Sequence, residues 1–299
     1  MQQFIQILIF KTKKILYLNC MKKLKSLIYK LYKYSDKIIY KFKPAIHIKS
    51  AKELHFTILI TAYNNKKYAK NCLESVFSQK YQNFDIYYVD DASSDGSAQI
   101  AEKVLRNRKN GRFQGNSIRV GKLENLYNAI QSLENTIIIE LDGDDYLIDD
   151  QVLYRFNECY SKDALAVHSS YQNNPTELAR KLNLGHFSQR TPNFVIKTKS
   201  YREFPWIYSG LRSYKPELFK KIKKYDLMAK FNSHKNKFLP AFHDAAVFYP
   251  ILEMAGSRID YIAEPQILRN IDSEINDFKT KDQETIRLAK RQVVDTKPY

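Results

Sequence analysis

Apolar positions along this chain fall into short runs separated by helix-spaced polar segments, the pattern of alternating strands and helices. Phe56 to Ile60 is a continuous apolar run and predicts a buried strand. Tyr68, Cys72, Leu73, Val76 and Phe77 then recur at helical spacing, and Phe84 to Val89 reads as the next strand, which makes a βαβ unit. Leu123, Leu126, Tyr127, Ile130 and Leu133 line one face of a helix that follows residue 121. TIIIE, at 136–140, is β-branched and reads as a further buried strand. After residue 160 the pattern loosens. Ser161 to Lys199 is polar and irregular, with NNPTE and RTPNF as turn signals. In FHDAAVFYPILEMAG, Ala245, Phe248, Leu252 and Ala255 recur at helical spacing, with Asp244 at the expected N-cap and Pro250 as a bend. Residues 265–299 add a strand-like ILR and a charged helix.

The predicted strands end in acids. ELDGDDYL, at 140–147, places Asp142, Asp144 and Asp145 just beyond one strand, and VDDASSDGS places Asp90 and Asp91 beyond another. In open α/β sheets, ligands bind beyond the carboxyl ends of strands, so the two clusters are expected to face one site. Three crowded carboxylates repel one another, and a hard divalent ion such as Mg²⁺ or Mn²⁺ relieves that repulsion. The plainer reading of DGDD is an acidic turn whose glycine takes a positive φ. In SSDGS, Asp95 is expected to tighten a turn, with Ser97 as an N-cap.

In that order, ITAYNN, VDDASSDGS, GKLENLYNAI and ELDGDDYL resemble the donor-binding half of inverting family 2 glycosyltransferases, most strongly over about residues 55 to 160. The resemblance implies an α/β fold of GT-A type, a Rossmann-like mixed sheet flanked by helices. It implies an enzyme that moves a sugar from a nucleotide sugar, a UDP-sugar by preference, to a hydroxyl of a glycan or glycolipid. Surface polysaccharide or lipopolysaccharide synthesis is the expected setting. By the same resemblance, Asp91 accepts the base N–H while Thr61 and Tyr63 line the base pocket. Asp144, with Asp142 and Asp145 beside it, holds Mn²⁺ or Mg²⁺ or contacts the ribose. Lys122, at a positive helix start, can approach the diphosphate, and Asn125 is a further candidate contact. The segment WIYSGLRSYK resembles one that usually reads like HLRTFK, which makes Arg212 a candidate contact to phosphate or acceptor. Asp244 then matches the catalytic base, the last acid of an ED motif about a dozen residues before a glycine, here Gly256. This chain has His243–Asp244 in place of ED, and His243 is open to ligating metal, orienting Asp244 or merely starting the helix. Glu253 is either a cleft residue or, more simply, exposed.

Composition adds a boundary. The net charge of +17 is concentrated before residue 52, where lysines interleave with Ile, Leu and Tyr. Such a basic amphipathic extension is expected to lie on an anionic membrane surface, and Met21 offers a second start. MQQFIQILIF is too short to span a bilayer, and the chain has no helix-turn-helix, zinc-finger or RNP pattern, so no nucleic acid is expected. Cys20, Cys72 and Cys159 lack CxxC spacing, which fits a reducing cytoplasm and places the enzyme there or at the inner membrane face. The expected division is an extension over 1–52, a catalytic domain over 53–270 with donor half 53–160 and acceptor half 161–270, and a charged tail over 271–299. Two other classes stay open. One is an inactive sugar-nucleotide binder, which the HD departure permits; the other is a nucleotidyltransferase, although ITAYNNKKY lacks a glycine-rich phosphate loop.

Overall fold

The computed structural model describes residues 52–182, 184, 188–231, 234–273 and 280–299. Residues 1–51, which carry the expected amphipathic extension and Cys20, lie outside them. Among the described residues, eight strands form one sheet in the order β3-β2-β1-β4-β7-β6-β8-β5. They are β1 (Phe56–Ala62), β2 (Phe84–Asp90), β3 (Gly111–Gly115), β4 (Ile137–Asp142), β5 (Tyr146–Leu147), β6 (Ala166–Asn174), β7 (Arg212–Tyr214) and β8 (Ile259–Asn270). The longer helices are α1 (Lys66–Phe77), α2 (Ser97–Leu105), α3 (Lys122–Gln131), α4 (Val152–Ser161), α5 (His243–Ala255) and α6 (Gln283–Asp295). The mixed sheet flanked by helices matches the expected fold class.

β1 to β4 run parallel, and β1 lies between β2 and β4 with every residue buried. Phe56, Ile58 and Ile60 share one core with Cys72, Leu73 and Val76 of α1 and with Leu153 and Phe156 of α4. Each such side chain contributes about 1.5–3 kcal/mol by leaving water. Cys72 and Cys159 are buried free thiols in that core, as their apolar settings predict. Register aligns the chemistry: Thr61 pairs with both Val89 and Asp142, and Ala62 pairs with Asp90. The acidic ends of β2 and β4 therefore flank the end of β1.

The second half of the chain joins the same sheet through β7, a three-residue strand antiparallel to both β4 and β6. Its approach requires Gly210. A Cβ there would stand 2.0 Å from the Ser169 carbonyl oxygen, so only glycine lets the chain pass β6 at that distance. Opposite Arg212 on β6 is His168, which is wholly buried. The rings of Tyr208 and Tyr261 lie 4.8 Å from it and that of Phe248 lies 6.3 Å away. Neither ring nitrogen has a hydrogen-bond partner. Burial, and then Arg190 and Arg212, push its pKa down to about 3.

The C-terminal helix α6 is capped by Asp282, whose side chain accepts from the Thr285 N–H at 2.8 Å. Arg202 donates to the Val293 carbonyl at 2.6 Å and grips both oxygens of Glu253 at 2.6 and 2.8 Å. Glu253 is therefore buried in an ion pair, contrary to its simpler expected place on an exposed helix face. No helix among the described residues is long and apolar enough to cross a membrane.

Candidate active site

The turn after β2 is built by its own acids. Asp90 accepts from the Ser93 N–H at 2.8 Å and hydroxyl at 2.6 Å, and Asp95 accepts from the Lys66 N–H at 2.8 Å and the Ser97 N–H at 2.9 Å. Asp95 thus ties α1 to α2, as its turn reading predicts. Ser97 is the first residue of α2, and Gly96, at φ 92°, precedes it as the cap. Asp91 is nearly buried and reaches forward along the chain. Its Oδ1 accepts from the Val120 N–H at 2.9 Å and the Asn116 amide at 3.0 Å, and its Oδ2 accepts from the Gly121 N–H at 2.9 Å. A carboxylate offers about four acceptor positions, so Asp91 can hold this loop and still take one base N–H. Beside it, the Arg119 guanidinium lies 3.7 Å from the centre of the Tyr63 ring. The 116–121 loop leads into α3. Asn125 of that helix is buried and accepts from Asn116 at 2.7 Å, which turns it toward the loop.

The turn after β4 departs from its plainer reading. Gly143 is absent from the positive-φ glycines; instead, a Cβ there would meet Asn65 Nδ2 at 2.6 Å and Ala62 Cβ at 2.7 Å. Glycine is needed for close approach, because Asn65 donates to the Gly143 carbonyl and pins the turn to the end of β1. The three acids of the turn then diverge. Asp145 is buried and accepts from the Asn270 N–H at 2.8 Å, which ties it to β8, while burial, and then the charges of Asp144 and Asp142, push its carboxyl up. One of its oxygens thus anchors β8, beside the two acids with which it was expected to hold an ion. Asp142 and Asp144 stay half-exposed. Burial, and then the charge on Asp142, push the Asp144 carboxyl up to about 6.

That repulsion tests the fit of a divalent ion. Among the described residues no group of three His, Cys, Asp or Glu side chains is shaped to hold one. Mg²⁺ and Mn²⁺ bound with nucleotides commonly use one or two carboxylates and take remaining ligands from phosphate and water. Asp142 and Asp144 supply hard oxygens whose mutual repulsion such an ion would relieve, so the donor set fits.

A chain of charges crosses from this turn into the second half. Lys122, in the first turn of α3, places Nζ 2.6 Å from Asp142 Oδ1 and 3.1 Å from Asp244 Oδ1. The buried Arg212 guanidinium lies 2.9 Å from the same Asp244 oxygen and 3.5 Å from Glu140 Oε2. Its other nitrogen donates to the carbonyls of Tyr208 at 3.2 Å and Gly210 at 3.4 Å. Glu140 also accepts from the Tyr214 hydroxyl. Burial alone would raise the Asp244 pKa, but Arg212 and then Lys122 outweigh it and hold the carboxyl well below the usual range. Asp244 is accordingly ionised at neutral pH, with 38% of its side chain open to solvent. It lies in the first turn of α5 rather than at the N-cap, a place taken by Phe242 in left-handed backbone. His243, the first residue of the helix, is buried beside Asp244.

The structure thus brings Lys122, Asp142, Asp144, Arg212 and Asp244 together, and sets Thr61, Tyr63 and Asp91 at the neighbouring strand ends. The guanidinium of Arg212, the expected contact to phosphate or acceptor, meets Asp244, Glu140 and two carbonyls. Glu140 and Arg119 were missed by the sequence reading. An acid closing an apolar run was a visible signal for Glu140; SIRVG offered none for Arg119.

Comparison with known proteins bears on this arrangement. The sequence pattern "Glycosyl transferase family 2" matches residues 57–223. The glycosyltransferase GlyG of Streptococcus pneumoniae is 29% identical over 124 residues, which are 39% of this chain and 39% of that protein. The poly(ribitol-phosphate) beta-N-acetylglucosaminyltransferase TarS of Staphylococcus aureus is 32% identical over 98 residues, 31% of this chain and 17% of that protein. The crystal structure of TarS residues 1–349 superposes with a TM-score of 0.54 at 18% identity, covering 82% of this chain and 67% of the other. The chain therefore spans under two-fifths of the length of these sequence relatives, while the fold likeness extends over most of it. With the family pattern covering β1 through β7 and more than half of the residues, this chain belongs to glycosyl transferase family 2.

Proposed function

We propose that the chain transfers a sugar from a nucleotide sugar, a UDP-sugar by preference, to a hydroxyl of a glycan or glycolipid acceptor, with inversion at the anomeric carbon. One observation carries this reading: Lys122 joins an acid of the donor-side turn to an acid of α5, so that a diphosphate and an acceptor hydroxyl would meet around a single ammonium. The base contacts Thr61, Tyr63 and Asp91. Asp142 and Asp144 would hold Mg²⁺ or Mn²⁺, which supplies charge to offset the diphosphate. Lys122, at the positive start of α3, contributes further positive charge there.

Asp244 is the base of this mechanism. It takes the proton of the acceptor hydroxyl while that oxygen attacks the anomeric carbon, and the bond to the diphosphate breaks with its electron pair leaving on the nucleotide. Arg212 holds the carboxylate in place through a 2.9 Å contact. Two cations make Asp244 a weak base in the resting site. A diphosphate gives Lys122 another anion to share, which weakens one of the two cationic holds on Asp244 and raises its basicity in part as the donor binds, while Arg212 stays paired. The uridine preference is supported by TarS, a relative in sequence that has been solved with UDP-GlcNAc. A surface-polymer acceptor is supported by the poly(ribitol-phosphate) of that relative's name.

The test is Asp244→Asn, assayed against a panel of nucleotide sugars with Mn²⁺. Transfer should fall by about 10²–10⁴, the usual contribution of a general base, while the donor still binds. Tm should fall as well, because the buried Arg212, and Lys122 with it, lose the carboxylate between them. Transfer at close to the wild-type rate would remove Asp244 from the mechanism.

A further inference from the structure

We propose that Trp206 and Phe242 form an aromatic platform for the acceptor, and that it receives the apolar face of a pyranose ring rather than an open-chain polyol phosphate. This rests on the glycosyltransferase reading, because Asp244 must touch the acceptor hydroxyl and Phe242 precedes Asp244 by two residues.

Phe242 has φ 62° and ψ 29°, in the left-handed region that bulky side chains avoid. Gly or Asn would take this conformation more cheaply, and either would serve better as an N-cap, since Phe242 makes no side-chain cap hydrogen bond. Strained backbone of this sort concentrates at ligand sites, where the surrounding structure holds it in place. The side chain so held is half-buried, with its ring centre 6.4 Å from that of Trp206.

Trp206 is held more firmly. Its indole N–H donates to Ser209 Oγ at 3.0 Å. Its ring meets Tyr208 at 5.2 Å and Tyr249 at 5.5 Å, both nearly edge-on. The indole is thus held in an aromatic cluster, with the Phe242 ring tilted by 50° to it, while part of it remains open to solvent. The cluster continues to the base, for the Tyr208 carbonyl accepts from Arg212, which pairs with Asp244.

An aromatic face carries negative charge density and attracts weakly positive C–H groups. A pyranose ring presents several axial C–H bonds on one rigid face, and so loses little freedom on stacking. A glycerol or ribitol phosphate has no fixed apolar face and brings an anion, which two uncharged aromatic rings do not compensate. The platform therefore selects for ring acceptors, unlike the poly(ribitol-phosphate) in the name of TarS.

Trp206 is the sole tryptophan of the sequence, so intrinsic fluorescence reports on the platform directly. The full-length protein, saturated with UDP and Mn²⁺, is titrated with methyl β-glucoside, methyl β-galactoside and methyl β-N-acetylglucosaminide, and separately with glycerol phosphate and ribitol phosphate. Calorimetry of UDP binding is run alongside. At least one pyranoside should change the emission saturably, and the polyol phosphates should not. Phe242→Gly should weaken that response by about three- to tenfold, the range for losing one aromatic contact. UDP affinity should stay unchanged. The proposal is overturned if the polyol phosphates alone change the emission, if no pyranoside does, or if Phe242→Gly leaves the response intact. A wild-type protein that binds no nucleotide in calorimetry would overturn the glycosyltransferase reading itself, and the platform with it.

Discussion

Replacing His168 by phenylalanine should flatten the acid side of this protein's stability profile. In the unfolded chain a histidine takes up its proton near pH 6.5, whereas in the fold His168 does so only at about 3. Between those values the unfolded state binds the extra proton, so stability falls as the pH falls from 6.5 toward 3 and is unaffected by this group above that window. Integrating the linkage from pH 7 to pH 5 gives a loss of about 2 kcal/mol from this one side chain. For a chain of this size that is about 4–8 °C in Tm. Phenylalanine has no proton to take up and no ring nitrogen to leave unpaired among Tyr208, Tyr261 and Phe248. At neutral pH its gain of about 1–3 kcal/mol from removing unsatisfied polar atoms is partly offset by about 1–3 kcal/mol for its greater bulk. The change between the two pH values is therefore the informative quantity. Denaturant titrations of wild type and His168→Phe at pH 7 and pH 5 measure it, since the remaining titrating groups are common to both proteins. Equal losses in the two proteins would show that His168 is hydrated or paired in solution and would refute the reasoning.

Asp144→Asn is expected to abolish Mn²⁺-dependent turnover of the donor while raising the Tm of the metal-free protein at pH 7.5. Burial and Asp142 lift this carboxyl to about 6 in the fold, so the fold bears a cost for its ionised form that grows as the pH rises through 6 and that an amide avoids. Near-native turnover, or a lower Tm, would count against its place in the ion site. Gly210→Ala is expected to destabilise by about 3 kcal/mol or more, because its new methyl group would stand 2.0 Å from the Ser169 oxygen and β7 must shift to admit it. An unchanged denaturation midpoint would show that the approach of β7 to β6 is looser than described.

Much of the first half was legible because burial there follows the local pattern. The runs at 56–60 and 84–89 are strands, and each extends past its apolar residues, to Ala62 and Asp90, because ladder hydrogen bonding continues where the side chains turn polar. The acids at those ends were visible, but their partners were not. Asp91 bonds to residues 25 to 30 positions away, and no periodicity encodes such a contact. Asp142, Asp144 and Asp145 read as one cluster, yet only tertiary packing turns Asp145 toward Asn270. In the second half, β7 is three residues long and too short to carry a period. Arg212 stood out among aromatic residues, but its partners Asp244 and Glu140 are distant in sequence and only the sheet brings them together. Helical spacing located α5 correctly, but the N-cap went unread because Phe242 is a residue that caps rarely adopt.

The register of β7 has a consequence for redesign. Arg212 stands opposite Glu140 on one side and His168 on the other, so backbone pairing alone dictates where its guanidinium emerges and hence where the base is aimed. Lengthening or shortening the chain between β6 and β7 leaves that aim untouched as long as the pairing survives. Slipping β7 by a single residue would turn Arg212 to the opposite face and strand Asp244 without its support. The three residues of β7 therefore tolerate no shift of register, whatever the length of the chain that leads into them.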